Sequence, residues 1–240
     1  MAPSRQRDAS RQRDASRQRG ASRQRVRDPG RKQRILTAAA ELSARRGFHA
    51  ISMADIGAEA GIVGSGIYRH FGSKTSILVA MLDQVMDRIA SGGARIIAAG
   101  GDDGFVLSEL VRDHVAVAIE DREVLAVYHR EIHTLPEEDR RRLRRRQRHY
   151  IEDWVHVLAP LRRDLTDGEL RLAVHAAIGA IQSTLFFRSG LAPGELATRL
   201  EEMAHGCLGV AVVPGRPAAA GGAAPGDAAA GGSELSLTTA

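Results

Sequence analysis

Residues 52–71 read Ser52-Met53-Ala54-Asp55-Ile56-Gly57-Ala58-Glu59-Ala60-Gly61-Ile62-Val63-Gly64-Ser65-Gly66-Ile67-Tyr68-Arg69-His70-Phe71. Two short helices crossing around a tight turn demand a fixed pattern, and this stretch meets it. Ser52 stands where a helix N-cap belongs. Ile56 and Ala60 then share one helical face, with Gly57 between them, small enough for a second helix to approach. Gly61 occupies the turn, where a positive φ suits glycine alone. Ile62, Ile67 and Phe71 close a small core from the other side. The spacing predicts helices over Met53–Ala60 and about Gly64–Phe71, a helix-turn-helix over about 54–73. An ordinary helical hairpin would also satisfy the apolar spacing. Tyr68, Arg69, His70 and Lys74, four side chains suited to DNA, tip the reading toward a nucleic-acid reader.

The same periodicity continues on both sides. Upstream, Arg31–Arg46 places Ile35, Ala39, Leu42 and Ser43 on one face and ends at Gly47. Downstream, Ser73 caps a long helix carrying Ile77, Leu78, Met81, Leu82, Val85, Met86 and Ile89 as one stripe. That helix is expected to run to about residue 91, because Gly92-Gly93 and the segment Gly100–Gly104 read as interruptions. Five more helices follow. Phe105–Ile119 is the first, and Asp121 caps one through Glu131. A third opens at Pro136, with Leu143, Tyr150, Ile151, Trp154, Val155 and Leu158 inward. Thr166-Asp167-Gly168-Glu169 is a capping box that starts the fourth. Pro193 opens the last, whose apolar positions include Met203, Ala204, Cys207 and Leu208. Cys207 is expected in the core. The fold class is therefore all-α, with about nine helices and no strand.

Composition sets the limits. Of 240 residues, 43% are hydrophobic but only 4% aromatic, so the core must be built from Leu, Ile, Val and Ala, which favours packed helices. The net charge of +5 is concentrated in residues 4–27, where nine arginines face only Asp8 and Asp14; the rest of the chain is mildly acidic. That stretch repeats SRQRDA-like units with nothing to bury, and it is expected to be disordered. It reads as a duplicated coding segment, with Val26 as a candidate start, and alternatively as an arm adding phosphate contacts. A single cysteine excludes an intrachain disulfide and suits the cytoplasm. No apolar run is long enough for a membrane helix, and the basic N-terminus lacks the apolar stretch of a secretory signal. Neither a nucleophile elbow, a phosphate loop nor a zinc signature supports an enzyme. His129 and His133 lie one helical turn apart, but lack a third ligand, so no metal and no cofactor are expected.

The run from Arg31 to Leu82 resembles the N-terminal domain of the TetR (AcrR) family of transcriptional regulators. The resemblance rests on Arg31–Gly47, on Ile51-Ser52-Met53-Ala54-Asp55-Ile56, on Ala60-Gly61-Ile62, on Ile67-Tyr68-Arg69-His70-Phe71, and on Ser73-Lys74 with Ile77-Leu78. It implies a DNA-binding domain over 31–91 and an effector-binding and dimerisation domain over 105–212, between a tail at 1–30 and another at 213–240. It implies phosphate contacts by Ser52, Tyr68, His70 and Lys74, and a major-groove face made by Gly64, Ser65 and Arg69. Gly64-Ser65-Gly66 departs from the usual pattern, where larger side chains reach the bases, so direct readout leans on Arg69 and Ser65. The partners implied are double-stranded operator DNA, a second copy of the chain paired through the last two helices, and a small effector, lipid-like or acyl. Repression, relieved by that effector, is the implied mode. An effector cavity would draw on His114, Tyr128, His129, Tyr150 and Trp154, with His133 and His175 as further polar candidates and Phe186-Phe187 as apolar wall. The seven arginines of Arg140–Arg148 read as a solvated face, or as a neutraliser of an acyl-CoA's phosphates. A sequence-blind nucleic-acid coat driven by the basic tail is the rival reading, and it leaves the motif at 52–74 unexplained.

Overall fold

A computed structural model describes residues 30–62 and 64–215. Most of both expected tails and Val63 therefore lie outside the described residues. Among the described residues there are eight α-helices, four short 3-10 turns and no strand. The helices are α1 (Gly30–Arg46), α2 (Met53–Glu59), α3 (Lys74–Ala99), α4 (Asp103–Glu120), α5 (Arg122–Glu131), α6 (Glu137–Leu158), α7 (Asp167–Gln182) and α8 (Pro193–Leu208). The expected recognition helix is a 3-10 turn over Gly64–Arg69. With it, each of the nine expected helices has a counterpart.

The starts are set by side chains. Ser52, Ser73 and Thr166 each form a reciprocal capping box with the residue three further on, Asp55, Ser76 and Glu169. Each box satisfies two backbone donors that the first turn would otherwise orphan. Asp121 does not cap α5. Its carboxylate is taken by Arg88, which also pairs with Glu120, tying α3 to the α4–α5 corner.

The expectation that Gly92-Gly93 interrupts the chain is corrected: α3 runs unbroken through both glycines to Ala99. Packing explains it. A Cβ on Gly92 would collide with the Asp113 carboxylate of α4, and one on Gly93 would lie 2.9 Å from Cε2 of Tyr150 on α6. The pair is a notch that lets two helices close on a third. It costs helix propensity of roughly 1 kcal/mol per glycine, offset by that approach. Along α3 and α6, Arg142 pairs with Asp83 at 2.7 Å and Arg146 with Asp87. The pairs advance together, so the two helices run parallel. Two of the seven arginines thus act as staples and are not simply solvated.

The core is continuous through both halves, from Ile35, Ile56 and Ile67 below, through Ile77, Leu82 and Val85 on α3, to Leu110, Leu143 and Trp154 above. The halves also touch away from α3. Arg130 of α5 donates to the Ser43 carbonyl, and His49 Nε2 lies 3.0 Å from the buried Glu131 carboxylate. Val213, placed by sequence in the C-terminal tail, is held on α4: its N–H donates to Ser108 Oγ and its carbonyl accepts from Arg112.

Candidate functional site

The lower half presents a polar turn on a rigid base. Ile56, Ile67 and Phe71 are buried, and the Gly57 Cβ position lies 3.3 Å from the Ile62 carbonyl, so a larger residue there would push the turn away. Gly61 has φ +65°, the conformation its place in the turn requires. Anchored by that core, Gly64, Ser65, Tyr68, Arg69 and His70 are all exposed, Tyr68 at 59%. From Ala60 to Leu82 the chain has no carboxylate. Arg69 and the flanking Lys32, whose ammonium lies 5.8 Å above the Phe71 ring, supply positive charge there. Ser52 is exposed too, its hydroxyl accepting from Asp55 N–H and donating to the Asp55 carboxylate at 2.6 Å.

Lys74 is used differently from the sequence expectation. Its ammonium points inward and donates to the carbonyls of Phe48 (3.0 Å), His49 (3.2 Å) and Ile51 (2.8 Å), 4.8 Å over the Phe48 ring. Three carbonyls use all three ammonium protons. The residue clasps the link between α1 and α2 to the start of α3. Lys74→Met is accordingly expected to destabilise the DNA-free protein by about 1–3 kcal/mol, since charged hydrogen bonds are lost and three carbonyls are orphaned. Urea unfolding without DNA checks this; a lysine that only gripped phosphate would leave that stability unchanged.

The upper half contains a chamber of about 270 Å³ between α3, α4, α5, α6 and α7. Four of the five expected effector residues line it: His114, Tyr128, His129 and Tyr150. Trp154 does not. It is fully buried behind the wall, its ring centroid 6.0 Å from His114 and 5.9 Å from Tyr150. Phe186 and Phe187, expected as wall, are mostly exposed at 68% and 54%; Phe186 only meets the His129 ring edge-on. His175 is on the rim. Gln147 and Gln182 also line the chamber; the sequence puts Gln147 on the inward stripe, but a glutamine there gives no distinct signal of a site.

A polar chain crosses the chamber. His129 Nε2 lies 3.0 Å from Gln182 Oε1, Gln182 Nε2 lies 3.3 Å from His114 Nε2, and His114 Nδ1 lies 3.1 Å from the Tyr150 hydroxyl. An amide nitrogen only donates, so His114 Nε2 accepts and its proton sits on Nδ1, donated to the Tyr150 oxygen. Burial holds the His114 pKa down at about 4, so the ring is neutral. Burial also pushes the Tyr128 and Tyr150 hydroxyls up, away from ionisation. Among the described residues no group of three or more His, Cys, Asp or Glu could hold a metal ion, and no helix is long and apolar enough to cross a membrane.

On the outer side of α7, Leu172, His175, Ala176 and Gly179 form an exposed stripe, beside Met203, Gly206 and Cys207 of α8. Cys207, expected in the core, is thus on the surface. Helical spacing alone did not say whether this face meets the core or another surface.

Comparison with known proteins matches both halves. Residues 35–81 fit the model for bacterial regulatory proteins of the tetR family, and residues 106–186 fit a tetracyclin repressor-like C-terminal domain. The chain is 31% identical over 130 residues to the HTH-type transcriptional repressor KstR2 of Rhodococcus jostii, covering 54% of this chain and 64% of that protein. It is 37% identical over 62 residues to the HTH-type transcriptional activator FasR of Mycolicibacterium smegmatis, covering 26% of this chain and 28% of that one. It therefore spans less than two thirds of either relative. The structure of AibR in complex with isovaleryl coenzyme A and operator DNA superposes with TM-score 0.62 at 19% identity, over 72% of this chain and 97% of that one.

Proposed function

We propose, on the premise that the chain belongs to the tetR family of bacterial regulatory proteins, that it is a transcriptional repressor, not an enzyme, which binds operator DNA as a homodimer in the cytoplasm and lets go when a small molecule fills the upper chamber. One observation carries the reading: Gly64, Ser65, Tyr68, Arg69 and His70 stand exposed on a segment without carboxylates, anchored by buried Ile67 and Phe71. Rigid support under exposed donors is what a base-reading element needs. Arg69 is the side chain on that segment suited to a guanine edge, while exposed Ser52, Tyr68 and His70 would contact phosphates. Repression is preferred because the relative matched over the longer stretch, 130 residues, is named a repressor. The exposed stripe on α7 and α8 is the face on which two copies would pair, its Ala176, Gly179 and Gly206 permitting close helix approach. A lipid-like or acyl effector agrees with the apolar wall of Met86, Ile89 and Leu125 and with the isovaleryl coenzyme A that AibR carries.

The test is operator selection from random DNA followed by binding profiles. The wild type is expected to bind a near-palindromic site as a dimer, with half-sites about one turn apart. Arg69→Ala is expected to flatten the preference at one position per half-site, by about 1–3 kcal/mol. A flat wild-type profile, or a monomer on the selected site, would refute the reading.

A further inference from the structure

The chamber's chemistry narrows its occupant. No Asp, Glu, Lys or Arg is among its lining residues. The histidine at its floor, His114, stays neutral for the reason given above. Two hydroxyl protons in the wall have no acceptor. Tyr128, only 6% exposed, buries its hydroxyl without a partner. The Tyr150 oxygen accepts from His114 Nδ1–H, which leaves its own proton unspent. A buried donor without an acceptor is costly and marks a place where a ligand supplies one. The cations whose field reaches Tyr128 are Arg144 and Arg146. Both stand outside the lining, and Arg146 is already paired with Asp83 and Asp87. The volume, about 270 Å³, falls just under the ~300–1,000 Å³ usual for drug-sized ligands.

We propose that the chamber takes a compact, uncharged, largely apolar molecule bearing a carbonyl-type oxygen, which accepts hydrogen bonds from the Tyr128 and Tyr150 hydroxyls. This rests on reading the chamber as the effector site, and it adds the ligand's chemical class. A carboxylate placed there would be desolvated with no lysine or arginine in the wall to balance it, and only the exposed imidazoles of His129 and His175 at its edge. A coenzyme A body would have to stand outside the rim at His129, His175 and Gly179, contributing only its acyl end. A ketone, a lactone or another uncharged carbonyl compound of about ten heavy atoms meets both tyrosines and leaves no charge buried.

Titration calorimetry on the full chain tests this with four probes: 4-tert-butylcyclohexanone, tert-butylcyclohexane, 4-tert-butylcyclohexanecarboxylate and isovaleryl coenzyme A. The ketone is expected to bind at least tenfold more tightly than each of the others. Tyr128→Phe, which keeps the ring's shape, is expected to remove most of the ketone's advantage over the hydrocarbon. The same change should raise the ligand-free melting temperature, because an orphaned hydroxyl is gone. Ile178→Trp, filling the chamber, should abolish binding of the ketone while leaving the helical signal intact. Absence of ketone binding, a carboxylate or coenzyme A ester binding more tightly than the ketone, or an unchanged ketone affinity in Tyr128→Phe would each overturn the ligand class. If tight binding of any probe is nonetheless lost in Ile178→Trp, the chamber stands as the ligand-binding site. Binding that survives Ile178→Trp would overturn the chamber reading itself.

Discussion

Gly93→Leu is expected to lower the unfolding free energy by about 3 kcal/mol, the upper part of the range for overpacking a filled core. The Cβ alone would stand 2.9 Å from Tyr150 Cε2 and 3.5 Å from Leu110 Cδ2, and the rest of the leucine has nowhere to go. Tyr150 cannot swing aside cheaply, because its hydroxyl holds His114 and its ring meets Trp154. The strain therefore spreads into the parallel pairing of α3 with α6. Gly168→Ala is the control. Its Cβ meets nothing within 4 Å, so the change should be neutral or stabilising by up to about 1 kcal/mol, the helix propensity that a glycine lacks. Chemical unfolding of the two variants beside the wild type measures both. Equal, small effects would mean the notch does not set the helix spacing.

The second large effect is on pH. The pKa of His114 falls from 6.5 to about 4 in the folded chain, through burial. A histidine with a depressed folded pKa stabilises the fold above its unfolded pKa, and that stability is lost as pH falls from about 6.5 toward 4, since the unfolded chain takes up the proton first. The drop in pKa corresponds to about 3 kcal/mol. Asp113, Asp153 and Glu201, whose carboxyls burial pushes up, act in the opposite sense. Buried His205, likewise pushed down by burial, acts in the same sense as His114. Subtracting the profile of His114→Gln from that of the wild type, by urea unfolding between pH 7.5 and 4, isolates the share of His114. The wild type should lose stability more steeply on acidification than the variant. Parallel profiles would show that His114 takes up its proton equally easily in both states.

Local chemistry was legible in the sequence. Ser52, Ser73 and Thr166 act within three residues of themselves, and each caps as read. The periodic stripes of α1, α3 and α6 were equally plain, because burial follows the helical repeat. Contacts between residues far apart in the chain were not legible. Gly92-Gly93 looks like a breaker until Asp113 and Tyr150, from two other helices, are seen pressing on it. Lys74 looks like a free cation until the carbonyls of Phe48, His49 and Ile51 are seen around it. Four chamber residues could be anticipated as polar groups among apolar neighbours. Trp154, one turn beyond Tyr150, falls behind the wall, and only the packing of α4 against α6 decides that. Phe186, Phe187 and Cys207 show the converse limit, since apolar character does not say which surface will cover it.

The unbroken α3 has a mechanical meaning. Lys74, at its first residue, holds the α1–α2 link, and Gly93 sits under Tyr150 at the edge of the chamber. Nineteen residues separate them, about 28 Å at 1.5 Å per residue. With the glycine notch as fulcrum, a tilt of roughly 4° at the chamber would carry the lower end about 2 Å sideways by simple leverage over that length. A break at the glycines would have absorbed such a tilt. A continuous rod delivers it whole to the Lys74 clasp, and through the clasp to Tyr68 and Arg69. Had the two glycines ended the helix, as their chemistry suggests in isolation, the chamber and the Gly64–Arg69 turn would have been joined by a hinge instead of a crowbar.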